Sequence, residues 1–342
     1  MKITKILVAL SFLFAISTAH AGEMTVTGSM QATYQSEVDR TTGNPLGMDR
    51  EIKFSGSTEL DNGISMSVMQ DFGDDGSFGD AKITFGNVGG LVDIYVGTDG
   101  SELDAIDDIT PTAFEEANGS GSGTYKDVGG LAAEMGIGFK ASLPVLGTVS
   151  AQYVPKADAT ENADGAASAN ANAAVGSGME IVIKNNMGDL PVVGSFLDGN
   201  NLTLGYAEEE VNTVANTSDR FEVTAAITGS YGNFSYGYQK KHIDLGQTAG
   251  ATTDSVFYGQ DIIGIAYAVN DELSISYNII EESKHDVSDA DIGTYEQETD
   301  AFNIGYTVGG LTLGFQEAST DNANHVKDSS DDTRTISVKA AF

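Results

Sequence analysis

The stretch Ile263-Gly264-Ile265-Ala266-Tyr267-Ala268-Val269-Asn270-Asp271-Glu272-Leu273-Ser274-Ile275-Ser276-Tyr277-Asn278-Ile279 decides the fold. Ile263, Ile265, Tyr267 and Val269 alternate with small residues, and Leu273, Ile275, Tyr277 and Ile279 alternate with polar ones. A period of two puts each set on its own face of a strand. The short Asn270-Asp271 break between the two runs makes them a hairpin.

The pattern repeats in both directions. Upstream it appears in Met24-Val26-Gly28-Met30-Ala32-Tyr34, Ile52-Phe54, Ile64-Met66-Val68, Val92-Ile94-Val96 and Phe221-Val223-Ala225-Ile227. Downstream it appears in Phe302-Ile304-Tyr306-Val308, Leu311-Leu313-Phe315 and Ile336-Val338-Ala340-Phe342. In all, sixteen such segments can be read along the chain. Short connections, such as Asp61-Asn62-Gly63 and Gly309-Gly310, alternate with long ones at 35–49, 71–80, 98–128, 155–177, 207–219, 240–257, 281–299 and 317–332. Strict alternation of short and long describes an up-and-down meander with unequal ends.

Which face meets which solvent decides the class. A soluble sandwich buries its apolar face, whereas a membrane barrel turns that face to lipid and its polar face to a lumen. The apolar positions within the segments carry no charge, while the opposite face carries Lys53, Lys82, Asp93, Glu134, Lys140, Glu180, Lys184 and Glu222. Tyr and Phe gather near segment ends, and the polar face holds many small residues, among them Gly205, Gly237, Gly264, Gly305 and Gly314. These features favour an all-β transmembrane antiparallel barrel of about sixteen strands. A secreted acidic β-rich surface protein stays open as the second class.

The first residues read as an address. A basic start containing Lys2 and Lys5, an apolar run from Ile6 to Ile16 and the small-x-small sequence Ala19-His20-Ala21 make a secretory signal peptide over residues 1–21. The barrel then occupies 22–342. Removing the signal takes away two lysines and no acid, which moves the formal charge from −33 to −35.

Composition excludes other classes. With 50 acidic against 17 basic residues, nucleic acid is not expected as a partner. The chain has no Cys, hence neither disulfide nor thiolate metal site, and no apolar run long enough for a spanning helix. No catalytic residues are expected: His242, His285 and His325 all fall in long connections and read as solvated. No cofactor is expected either. Asp71-Phe72-Gly73-Asp74-Asp75-Gly76 departs from the EF-hand pattern, which leaves only loop-bound Ca or Mg open. The long connections hold 36 of the 50 acids and seven of the bases. A mouth of one sign concentrates cations within a Debye length of about 8–10 Å.

At its end the chain resembles a known family. Thr335-Ile336-Ser337-Val338-Lys339-Ala340-Ala341-Phe342 alternates and finishes on an aromatic, and Gly97-Thr98-Asp99-Gly100-Ser101-Glu102-Leu103-Asp104-Ala105-Ile106-Asp107 leads from the fifth segment into the longest connection. Both are similar to stretches of Gram-negative general porins of the sixteen-stranded, trimeric type. The resemblance implies an outer-membrane, homotrimeric, water-filled channel for passive diffusion of small hydrophilic solutes, in contact with membrane lipid and lipopolysaccharide. A substrate-selective channel for a sugar or a nutrient cation is the alternative. The resemblance also makes Phe342 the assembly signal and folds the connection after strand five into the barrel. Asp99, Glu102, Asp104, Asp107, Asp108, Glu115 and Glu116 would then form the constriction, opposite Arg50, Lys53 and Lys82 on the lumen wall. Thr110-Pro111 offers a cap and first position for one helical turn in that connection.

Overall fold

The computed structural model describes residues 22–37, 43–73, 78–98, 102–119, 124–127, 135–155, 175–190, 197–211, 219–246, 256–286 and 295–342. The signal-peptide expectation at 1–21, and Asp99 and Asp74 to Gly76, lie outside these residues, as does the side chain of Asp104.

Sixteen antiparallel strands form one closed barrel. They are β1 (Glu23–Glu37), β2 (Leu46–Glu59), β3 (Ser65–Phe72), β4 (Phe78–Val88), β5 (Val92–Gly97), β6 (Gly136–Leu143), β7 (Gly147–Val154) and β8 (Val175–Asn186) in the first half. The second half holds β9 (Asn200–Val211), β10 (Arg220–Tyr231), β11 (Phe234–Asp244), β12 (Val256–Ala268), β13 (Leu273–Asp286), β14 (Gln297–Val308), β15 (Leu311–Asp321) and β16 (Asp331–Ala341). Each strand pairs with its sequence neighbours, and β1 closes on β16 from Ser29 opposite Ala341 to Glu37 opposite Thr333.

Alternation places the faces. Tyr238, Ile265, Tyr277, Phe302, Leu313 and Ile336 project outward and are exposed, whereas Gln239, Asn278, Asn303 and Gln316 point the other way and are fully buried. Tyrosines bound the outward apolar band. Towards the long-loop end Tyr206 donates to Glu208 at 2.9 Å, Tyr277 to Asp300 at 2.7 Å, and Tyr238 to Asp261. Towards the short-turn end Tyr236 donates to Asn200 at 2.7 Å and Tyr306 to Glu272 at 3.1 Å. An amphipathic ring with its hydroxyl on a polar group suits the edge of a hydrocarbon slab.

The strands run further than the alternation suggested. Glu208 to Glu210, Lys240 to His242, Glu281 to His285 and Glu317 to Asp321, read as loop, belong to β9, β11, β13 and β15. Charge does not end a strand once it has risen above the apolar band, because the ladder hydrogen bonds continue. Two of the three histidines expected in loops, His242 and His285, therefore sit on strands.

Closure leaves little room at the seam. Gly28 and Phe342 exchange backbone hydrogen bonds of 3.1 and 3.0 Å. A Cβ at Gly28 would stand 2.6 Å from the Phe342 ring and 2.7 Å from the Glu51 carbonyl oxygen. Gly28→Val is expected to destabilise the folded barrel by about 1–3 kcal/mol through overpacking. The temperature at which the protein shifts from folded to unfolded mobility on a denaturing gel should fall. Gly56→Ala, whose added carbon would make ordinary 3.4 Å contact with Val68, should leave it unchanged.

Candidate functional site

The connection between β5 and β6 meets the polar face of the barrel on strands from β8 to β15. Leu103 N donates to Glu180 of β8 at 3.0 Å. Gln239 of β11 donates to the Ile106 and Asp107 carbonyls at 2.7 and 3.0 Å and accepts from Ile109 N at 3.0 Å. Asn278 and Ser276 of β13 hold Pro111 O and Ala113 N. Gln316 of β15 donates to Glu116 O at 2.7 Å, and Tyr125 OH donates to Thr299 of β14 at 2.6 Å. Backbone carbonyls and amides that would lack partners in an irregular segment find them on barrel side chains, each worth about 1 kcal/mol net.

Two apolar patches fix the same segment. Leu103 and Ile106 pack with Val154, Val182 and Ala207, and Ala117 packs with Ile262, Ile280, Ala301 and Ala318. The barrel members of both patches face inward, against the alternation rule for a wet lumen. The signal was present in the sequence as doubled apolar positions, Ile262-Ile263, Ile279-Ile280 and Ile181-Val182-Ile183. The inward glycines carry a different meaning from tolerance of an open lumen. At Gly305 a Cβ would lie 2.1 Å from the Ala113 carbonyl oxygen, so a larger residue would displace the segment. Among the described residues of this segment, a helical turn lies at Asp104–Ile106 and none at Thr110-Pro111, where Thr110 instead donates through N and Oγ1 to Asp108, both at 2.8 Å.

Acids gather on this segment. Glu102 accepts from Tyr95 OH at 2.7 Å, and Lys82 Nζ stands 5.4 Å from the centre of that ring. Burial raises the Asp108 carboxyl despite its hydrogen bonds from Thr110. Burial also raises Glu115, partly offset by Gln31 and by Lys339. Glu116 is pushed up to about 8, first by burial, then by repulsion from Asp107, Asp108 and Glu115, with Lys241 opposing. Lys241 and Glu222 are themselves nearly inaccessible, 3.8 Å apart, on β11 and β10.

The basic side differs from expectation at one position. Lys53 lies on the polar face, 3.3 Å from Glu51, and Lys82 shares that face. Arg50 does not: it stands opposite Met30 with the parity of Ile52 and Phe54, on the apolar face of β2. Lys339 was missed as a wall residue, although Ser337-Val338-Lys339 puts it on the polar face by simple alternation. Among the described residues, no group of three or more His, Cys, Asp or Glu could hold a metal ion.

The shift at Glu116 has a sign. Its carboxyl in the docked segment keeps a proton up to about pH 8, against 4.5 for the free group. Docking is therefore strongest below 4.5 and weakens as the pH climbs towards 8. An infrared titration should show a protonated-carboxyl band lost near pH 8 and missing from Glu116→Gln.

A family model described as Gram-negative porin matches residues 7–307. OmpT folded in vitro, an outer membrane protein of Vibrio cholerae, superposes with a TM-score of 0.68 at 10% identity, over 96% of this chain and all of that one. Its trimer form gives 0.69 at 9%, over 94% and 100%. An anion-selective porin from Comamonas acidovorans gives 0.65 at 12%, over 94% and 100%. No curated protein matches the sequence. A closed sixteen-stranded barrel with an apolar belt and a polar interior, matched by this family over most of its length, leaves one assignment: the chain belongs to the Gram-negative porins and forms a channel in the outer membrane.

Proposed function

We propose that the channel passes small hydrophilic solutes and ions by passive diffusion, prefers cations, and is narrowed by the segment after β5. The observation that carries this reading is the anchoring of residues 102–119 and 124–127 on inward side chains from β8 to β15. Anchored there, the segment presents Glu102 and Asp107 towards water that remains on the β1–β7 side, with Asp108, Glu115 and Glu116 more deeply set beside them. Lys53, Lys82 and Lys140 lie on the polar face of that wall, with Lys184 and Lys339 on the flanking β8 and β16. Acids on one side and lysines on the other set a field across the path, which orients dipolar solutes. The excess of acids over bases at the long-loop mouth sets the sign of the ion preference. The shared fold does not set it, since one structural neighbour is anion-selective. The activity is passage, with no bond made or broken.

Three further parts complete the reading. Residues 1–21 serve as a signal peptide that is removed, and Phe342 as the assembly signal. The protein acts as a homotrimer, as in the trimer form of the Vibrio cholerae neighbour. Arg50, on the outward face of β2, suits contact with a second copy better than contact with lipid. Above the tyrosines the outer wall turns ionic, with Arg334 to Glu317 at 2.6 Å and Lys240 to Asp261 at 2.7 Å, at the level where lipopolysaccharide head groups lie.

Purified protein in a planar bilayer under a KCl gradient tests the charge preference. The reversal potential should have the sign of cation preference, and Asp107→Asn with Glu102→Gln should shift it towards anions. A wild-type potential of the opposite sign would falsify the reading.

A further inference from the structure

The turn that follows β15 departs from its surroundings. Asn322, Asn324, His325 and Asp328 all have positive φ, between 50° and 59°, although none is glycine. The turn is held in this unfavourable backbone by its side chains. Asn324 N donates to Gln297 Oε1 at 2.5 Å, and His325 reaches inward to a nearly buried position.

His325 has an acceptor at each ring nitrogen. Nδ1 lies 3.0 Å from the Tyr295 carbonyl oxygen and Nε2 lies 3.0 Å from Glu282 Oε1. A carbonyl cannot donate, and a neutral imidazole carries one N–H only. With Nδ1–H given to Tyr295, the Nε2–Oε1 contact needs a second proton, whichever of the two atoms holds it. Glu282 is fully buried, and its other oxygen is occupied by donors: Lys126 N at 2.9 Å and Gln260 Nε2 at 2.6 Å. Gln260 also donates to Lys126 O at 2.6 Å. One carboxylate thus joins the turn after β15 to the end of the segment after β5.

We propose that His325 and Glu282 share a proton that pins this turn onto the segment's far end, so that breaking the pair releases the turn and loosens the segment. The part concerning the pore rests on the reading of 102–127 as the constriction. His325 and Glu282 are positioning residues and touch no solute. Titratable or charged groups around the pair include Tyr258 of β12, Tyr125 and Lys126 of the segment, and Tyr295, whose ring lies 5.7 Å from Lys327 of the turn. Without the shared proton two acceptors face each other in a buried place, and the turn is left with the hydrogen bonds from Asn324 N to Gln297, from Asn322 Nδ2 to the Glu296 carbonyl and from Asp328 N to Asn322.

The chain has no cysteine, so Val326→Cys, at an exposed side chain of the turn, gives a single spin-label position. In the labelled full-length protein the turn should be immobile. Glu282→Gln offers an amide N–H to neutral Nε2 and an oxygen to Lys126 N, so the label should stay immobile and the conductance in a bilayer unchanged. His325→Ala removes the contact, so the label should become mobile and the conductance should rise. Both variants should keep the folded mobility on a denaturing gel, which confirms intact barrels. An immobile label in His325→Ala, or a mobile one in Glu282→Gln, would overturn the proposal. A mobile label in His325→Ala with unchanged conductance would uphold the latch and overturn the constriction reading.

Discussion

Everything in this molecule depends on one constraint: no backbone N–H or C=O within the hydrocarbon layer can go without a partner. An orphaned group there costs several kcal/mol. Closing β1 onto β16 meets that demand, and the exchange between Gly28 and Phe342 carries it to the last residue. Closure then dictates the rest. Period two becomes an outside and an inside, the outside must be apolar up to the tyrosine rows, and the inside is left polar.

A barrel with a polar inside has no core to hold an irregular segment, so the holding must be done by placed groups. Gln239, Ser276, Asn278, Thr299 and Gln316 serve as backbone partners, and inward Val182, Ile262 and Ile280 make small dry patches beneath Leu103, Ile106 and Ala117. The same burial that anchors the segment removes water from its acids. That is why the carboxyls of Asp108, Glu115 and Glu116 are held above the usual range, and why formal charge overstates the charge the segment presents at neutral pH.

The barrel was legible in the sequence because lipid reads one face only. Ile263 to Ile279 could hardly do otherwise than pair, and the terminal alternation ending in Phe342 fixed the seam. The interior was less legible because an inward residue answers to whatever lies against it. Ile262 and Ile280 look like lapses in alternation until Ala117 is placed on them. Gly305 looks like open space until the Ala113 carbonyl occupies it. Arg50 was misplaced by its nearness to Lys53, although parity alone puts it outside. His325 was taken for a solvated residue because nothing in a single sequence shows that a turn of left-handed residues will fold it inward onto Glu282. Asp99 and the Asp104 side chain fall outside the described residues.

The central claim is that the segment after β5 borders the conducting water path. Attaching a bulky, charged, membrane-impermeant thiol reagent to Asp107→Cys while recording single channels tests it most directly. The account predicts a stepwise fall in conductance on modification, with none at the lipid-facing control Ile265→Cys. Full conductance after complete modification at position 107 would contradict it.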